Sequence, residues 1–197
     1  LRSMGVTRLS MGVQSFDPTV LAAVNRPQEH TRVHAIMDLC RELGMGSLNL
    51  DLMYGLPRQD LERFARTLEQ AIALRPDRLA VFGYAHVPWM KPHQRKLDGF
   101  PRADTRDRAR MMLHARRVLT QAGYDALGLD HFALPHDDLA VALLDYLDIN
   151  SPERVEARRR HASRLRDLFD IAGYGPEEVT RYFADHPEET DYPTVLR

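Results

Sequence analysis

At 197 residues, 44% of them hydrophobic, with a formal charge of −1, the chain is long enough for one core with an appendage and too neutral for a dedicated nucleic-acid binder. No apolar run is long enough to span a membrane and no charged-then-apolar leader is visible, so a cytoplasmic location fits. Cys40 is the single cysteine, which excludes an intrachain disulfide and a Cys-based metal site built from this chain alone.

Thr7 to Ser15 alternates, with Leu9, Met11 and Val13 on one face and Arg8, Ser10, Gly12 and Gln14 on the other, as a strand does. Gly12 would let a neighbour approach the backbone closely. Asp17-Pro18 then starts a short helix, Asp as N-cap and Pro in the first turn, which ends near Asn25-Arg26-Pro27. Thr31 to Leu43 reads as a helix with an apolar stripe of Val33, Ile36, Met37, Cys40 and Leu43 and with Gly44 where a C-cap belongs. On that stripe Cys40 is a packing residue.

Ser47 to Pro57 reads as a strand that breaks into a loop at Gly55 and Pro57. Leu48, Leu50 and Leu52 share one face, and Asn49, Asp51 and Met53 the other. A carboxylate on such a strand serves either a structural salt bridge or capping contact, or a ligand cavity, since a dry unpaired charge is too costly. A helix from Gln59 to Leu74 follows, with Leu61, Phe64, Leu68, Ala71 and Ile72 buried. Arg78 to His86 is a third strand, followed by the loop Val87-Pro88-Trp89-Met90-Lys91-Pro92-His93-Gln94-Arg95-Lys96. Residues 104–122 form a further amphipathic helix bearing Met111, Met112, Ala115, Val118, Leu119 and Ala122. Tyr124 to Phe132 is a fourth strand. Strands alternating with helices at this spacing predict an α/β fold with a parallel sheet, whose functional groups gather at the carboxyl ends of the strands. Gln14, Asp51, Ala85-His86 and Asp130-His131 lie at or near those ends, which favours the cavity reading of Asp51.

Several runs together resemble one family. They are Arg8-Leu-Ser-Met-Gly-Val-Gln14, Val24-Asn-Arg26, Asn49-Leu-Asp-Leu-Met-Tyr-Gly-Leu-Pro57, Phe82-Gly-Tyr-Ala-His-Val-Pro88 with Gln94-Arg-Lys96, and Gly128-Leu-Asp-His-Phe-Ala133. The family is the oxygen-independent coproporphyrinogen III oxidases (dehydrogenases), radical S-adenosylmethionine enzymes of haem biosynthesis. The resemblance implies the C-terminal part of an open, partial TIM barrel, with about four parallel strands over residues 1–142 and a helical tail over 143–197. It implies oxidative decarboxylation of coproporphyrinogen III, a tetrapyrrole, to protoporphyrinogen IX by a 5′-deoxyadenosyl radical. The cofactors implied are S-adenosyl-L-methionine and a [4Fe–4S] cluster. By matching motif positions, Gln14, Arg26, Asp51 and the backbone of Ala85 contact S-adenosylmethionine. A substrate-side role is a further expectation for His86, His93, Arg95, Lys96 and His131, because a substrate with four propionates suits a basic loop. A metal site is not expected from these histidines, whose spacing fits no familiar ligand pattern.

The family's Cys-x-x-x-Cys-x-x-Cys loop is absent from this sequence, and the expectation is that the chain begins after it, in mid-barrel. The isolated chain is then expected to be inactive. The alternative reading is a non-catalytic S-adenosylmethionine- or haem-binding remnant related to the haem chaperones. In the tail, Ser151-Pro152 is expected to start a helix carrying Val155, Ala162, Leu165, Leu168 and Ile171 and ending at Gly173, with a second short helix from Pro176 through Phe183.

Overall fold

The computed structural model describes residues 4–127, 130–138, 140–141, 164 and 166–185. Strand β1 (Arg8–Gln14) leads through helices α1 (Pro18–Ala23) and α2 (His30–Glu42) to β2 (Ser47–Tyr54). Helix α3 (Leu61–Ala73) then returns the chain to β3 (Arg78–Gly83). A 3₁₀ turn (Pro92–Leu97), helix α4 (Thr105–Gln121), and the short strands β4 (Asp125–Ala126) and β5 (His131–Ala133) complete the sheet. Residues 166–172 are helical, and helix α5 spans Pro176–Asp185.

The sheet order is β1-β2-β3-β5-β4, with β1, β2 and β3 mutually parallel, so the expected α/β class with an open, mostly parallel sheet stands. The last segment differs from its expected form. Tyr124 to Phe132 is not one parallel strand but two short antiparallel ones, and β5 also runs antiparallel to β3. A glycine inside the run, Gly128, was the available sign of a break.

One side of the sheet carries the core. Leu48, Leu50 and Leu52 of β2 are at most 2% exposed, and with Val13, Leu79, Val81 and Phe132 they pack under α2, α3 and α4. Burying three leucines contributes on the order of 5–9 kcal/mol before chain entropy is counted. A one-residue slip of β2 would exchange them for Asn49, Asp51 and Met53, so this face fixes the register. The helices contribute Val33, Met37 and Cys40 (α2), Phe64, Leu68 and Ala71 (α3), and Met111, Met112, Ala115 and Leu119 (α4). Ile36, Leu43 and Leu61, expected in these stripes, are instead 42%, 50% and 40% exposed. The sheet covers a narrower arc of each helix than its apolar residues span.

Helix starts follow the sequence closely. Asp17 accepts hydrogen bonds from the amides of Thr19 and Val20, Asp60 from that of Arg63, and Asp104 from that of Asp107. Gly44 closes α2 at φ +66°, a conformation that favours glycine. On the far side of α4, Ala109 and Leu113 pack with Phe169 and Ala172. The guanidinium Nε–H groups of Arg106 and Arg110 both donate to the Ala172 carbonyl, at 3.1 and 3.2 Å. Gly173 ends this helical stretch as expected, but Phe169 and Ala172 make the contact while Ile171 is 44% exposed. Val155, Ala162 and Leu165 lie outside the described residues.

The amino ends of β2 and β3 are tied by buried polar groups that sequence reading passed over. Ser47 Oγ donates to Asp137 Oδ2 at 2.6 Å, and Arg78 Nε stands 3.4 Å from Asp137 Oδ1. The Asp137 side chain is fully enclosed. Removing one partner strands the other charge, so Asp137→Ala should cost about 3 kcal/mol, read as a lower urea midpoint at unchanged slope. Tyr124, 4% exposed, donates its hydroxyl to the Pro76 carbonyl at 2.8 Å, and burial pushes its pKa up to about 12. Its contribution to stability is present below about pH 10, the unfolded value, and is lost as pH rises through about 12. Tyr124→Phe should therefore lose stability less steeply than the wild type over that interval, measured by urea unfolding at a series of pH values.

Candidate functional site

The face of the sheet away from the helices is polar and half-open. In register, Ser10 stands opposite Asn49, Gly12 opposite Asp51, Asp51 opposite Ala80, and Ala80 opposite His131. Asn49 donates to Asp51 Oδ1 at 2.7 Å and to Ser10 Oγ at 2.9 Å, and Ser10 Oγ donates to Asp51 Oδ2 at 3.3 Å. Asp51 forms no ion pair among the described residues, so its carboxylate is oriented by neutral donors and its charge stays available. The structural salt bridge considered for it is absent there. Phe82 meets the His131 ring edge-on at 5.7 Å, and Asp130 Oδ1 lies 2.9 Å from His131 Nδ1.

Gly12 is the focus of the first strand. The β1–β2 register shifts between Gly12 and Gln14, leaving Val13 as a bulged residue that is 1% exposed. Gln14 follows at φ +67°, in the left-handed region, where a non-glycine side chain is strained. That turn brings its amide back over Gly12: a Cβ built on Gly12 would lie 2.7 Å from Gln14 Nε2 and 3.2 Å from Arg26 Nη2. Arg26 arrives from the other side. Helix α1 ends at Ala23, Asn25 takes φ +52°, and the Arg26 amide bonds the Leu21 carbonyl, reversing the chain. Arg26 Nη2 then donates to the Gly12 carbonyl at 2.6 Å. A guanidinium and a carboxamide thus meet at one glycine, and Asp51 stands in register with it on the neighbouring strand.

Ala85 lies just beyond the carboxyl end of β3. Its carbonyl accepts from Gln94 Nε2 at 3.0 Å, while Gln94 Oε1 accepts from the Val87 amide at 2.6 Å. Gln94 is only 7% exposed and braces the loop that carries Ala85. His86 Nδ1 lies 3.2 Å from the Tyr84 hydroxyl and His86 Nε2 lies 2.7 Å from Asp98 Oδ1, so its ring is held by two polar partners. His93, Arg95 and Lys96 are exposed on the 3₁₀ turn, whereas His131 belongs to the open sheet face. Among the described residues no three His, Cys, Asp or Glu side chains are grouped as metal ligands.

One element of this rim had no expectation attached. Arg108 of α4 reaches over the Tyr54 ring at 5.9 Å, and a Cβ on Gly83 would lie 2.9 Å from both Arg108 Nη2 and the Tyr54 hydroxyl. Gly55 leaves similar room at 3.1 Å from Arg108 Cγ. The two glycines let α4 dock on the ends of β2 and β3. Burial raises the Tyr54 pKa above its ordinary value, which keeps that hydroxyl protonated.

With three parallel strands under one layer of helices and polar groups over the other face, residues 1–71 match the model of the Radical SAM superfamily. Within that superfamily the chain is similar to oxygen-independent coproporphyrinogen III oxidases. It is 45% identical over 142 residues to the Escherichia coli enzyme, covering 72% of this chain and 31% of the relative. It is 42% identical over 142 residues to that of Synechocystis, covering 72% and 30%. The solved structure of the Escherichia coli coproporphyrinogen III oxidase, described as a radical SAM enzyme, superposes with a TM-score of 0.69 at 44% identity, over 73% of this chain and 33% of that one. The chain thus spans about a third of the length of these relatives.

Removal of the Gln94 brace should release the Val87 amide. In Gln94→Ala, hydrogen exchange at Val87 should speed up at least tenfold while the Leu50 and Leu79 amides keep wild-type protection; unchanged exchange at Val87 would mean the brace is not structural.

Proposed function

We propose that this chain carries the S-adenosylmethionine-facing part of an enzyme that oxidises coproporphyrinogen III to protoporphyrinogen IX without oxygen. The observation that supports it is the meeting of Gln14 and Arg26 at Gly12, with Asp51 in register on the neighbouring strand, because that donor set suits the cofactor. The Arg26 guanidinium pairs with its carboxylate. The Asp51 carboxylate accepts from its donors and favours its sulfonium charge. The Gln14 amide offers both a donor and an acceptor. Gly12 keeps the backbone free of a Cβ at the point of approach. The Ala85 backbone, fixed by Gln94, is assigned to adenine. When bound, S-adenosylmethionine supplies the radical that starts the oxidation; this chain's residues hold and orient it.

The cluster that the family uses does not fit these residues. The single cysteine, Cys40, is 6% exposed within the helix-side core, away from the polar face. No step is therefore assigned to a cluster on this chain, and the chain by itself does not turn over substrate. No helix among the described residues is long and apolar enough to cross a membrane. A cytoplasmic place of action and a tetrapyrrole substrate are part of the proposal.

Calorimetric titration with S-adenosylmethionine tests the cofactor assignment. The 197-residue chain should bind it, and Arg26→Ala, Asp51→Ala and Gly12→Ala should each weaken binding by about tenfold or more, roughly 1.4 kcal/mol. No binding by the wild type would sink the assignment. Anaerobic incubation with iron, sulfide, reductant, S-adenosylmethionine and coproporphyrinogen III should give no protoporphyrinogen above a blank, and product above the blank would overturn the inactivity of the isolated chain.

A further inference from the structure

The loop after β3 presents apolar side chains where a water-soluble rim would be expected to hide them. Trp89 and Met90 are each 73% exposed, behind only Met4 among the large apolar side chains of the described residues. They are adjacent and sit on a braced turn. The amides of Met90 and Lys91 both donate to the Val87 carbonyl, at 2.9 and 2.8 Å, and buried Gln94 holds Val87 and Ala85. The ring of His86 is fixed between Tyr84 and Asp98 just before the turn. A rigid turn that holds an indole and a thioether in water gains nothing for the fold, since neither residue joins a core cluster.

The charges that follow this pair in sequence are one-sided. Lys91, Arg95 and Lys96 are all exposed, and they include both lysines of the chain. Asp98, the acidic residue nearest in sequence, is engaged by His86. An apolar platform followed by exposed cations matches a tetrapyrrole macrocycle with carboxylates on its edge. The indole and thioether cover the ring face, and the ammonium and guanidinium groups take the carboxylates. The turn begins two residues after Ala85, at the carboxyl end of β3, on the rim of the proposed cofactor site.

We propose that the Trp89–Met90 turn, with Arg95 and Lys96, grips a tetrapyrrole polycarboxylate by its ring face and its edge, and so sets substrate specificity. This rests on the reading of the site given above. It predicts recognition of the carboxylates as well as the macrocycle.

The test uses coproporphyrin III, the stable oxidised form of the substrate, and follows its Soret absorbance as the full chain is titrated. The wild type should show saturable binding, and the tetramethyl ester, which has no carboxylates, should bind at least tenfold more weakly. Trp89→Ala with Met90→Ala, and separately Arg95→Ala with Lys96→Ala, should each weaken coproporphyrin binding at least tenfold. All four residues are exposed, so these variants should keep the wild-type circular dichroism and S-adenosylmethionine binding. Arg32→Ala, an exposed cation on α2, should bind like the wild type. Absence of porphyrin binding, equal binding of the ester, or wild-type affinity in both double variants overturns the proposal. Intact S-adenosylmethionine binding beside any of those results shows that the turn's role has failed and not the cofactor site.

Discussion

The register between β1 and β2 governs the rest of the molecule. Parallel pairing places Gly12 beside Asp51 and, on the opposite face, sets Leu48, Leu50 and Leu52 under the helices. The two outcomes are inseparable, because alternation along β2 assigns every second residue to each face. Hydrophobic burial on one side thereby holds a carboxylate at a fixed height on the other. Asp51 needs no ion pair to be located: its strand is anchored by leucines, and Asn49 and Ser10 only aim its oxygens.

Strain and stability are separated along the strands. At the carboxyl ends, the bulge at Val13 and the left-handed backbone of Gln14 are conformations a strand avoids, and they are held by the buried Val13 side chain and the flanking ladder. At the amino ends the Leu48 amide donates to Asp77 Oδ2 at 2.8 Å, Ser47 donates to Asp137, and the Arg78 guanidinium lies 3.4 Å from the same carboxylate. In parallel α/β folds conserved chemistry gathers at the first end and stability at the second. The division here follows that pattern, with the polar groups of Gln14, Arg26 and Asp51 at one end and enclosed pairs at the other.

Much of this was legible in the sequence where one physical rule dominates. Alternation gave the faces of β2, Asp17 and Asp60 marked helix starts, Gly44 marked a stop, and Cys40 proved to be a packing residue. The meeting of Gln14 and Arg26 over Gly12 was not legible from periodicity, because a single bulged residue and two positive φ angles leave no repeat to detect. Periodicity makes the α2 stripe wider than the buried one, since an apolar residue counts alike whether or not the sheet reaches it, and Ile36 and Leu43 are left outside. Gln94 looked like one more polar loop residue, and only its two bonds to the backbone reveal the brace. The β4–β5 pair resembles one strand in sequence because five apolar residues outweigh Gly128.

The Ser47–Asp137 hydrogen bond joins residues 90 positions apart. A ribosome making about 5–20 residues per second needs roughly 5–20 s to cover that distance. Through that interval Ser47 and Arg78 wait at the base of a half-built sheet, and the acid that will neutralise Arg78 does not yet exist. The nascent chain is therefore at its most vulnerable while α4 is being made, and its sheet closes only when the residues just after β5 emerge.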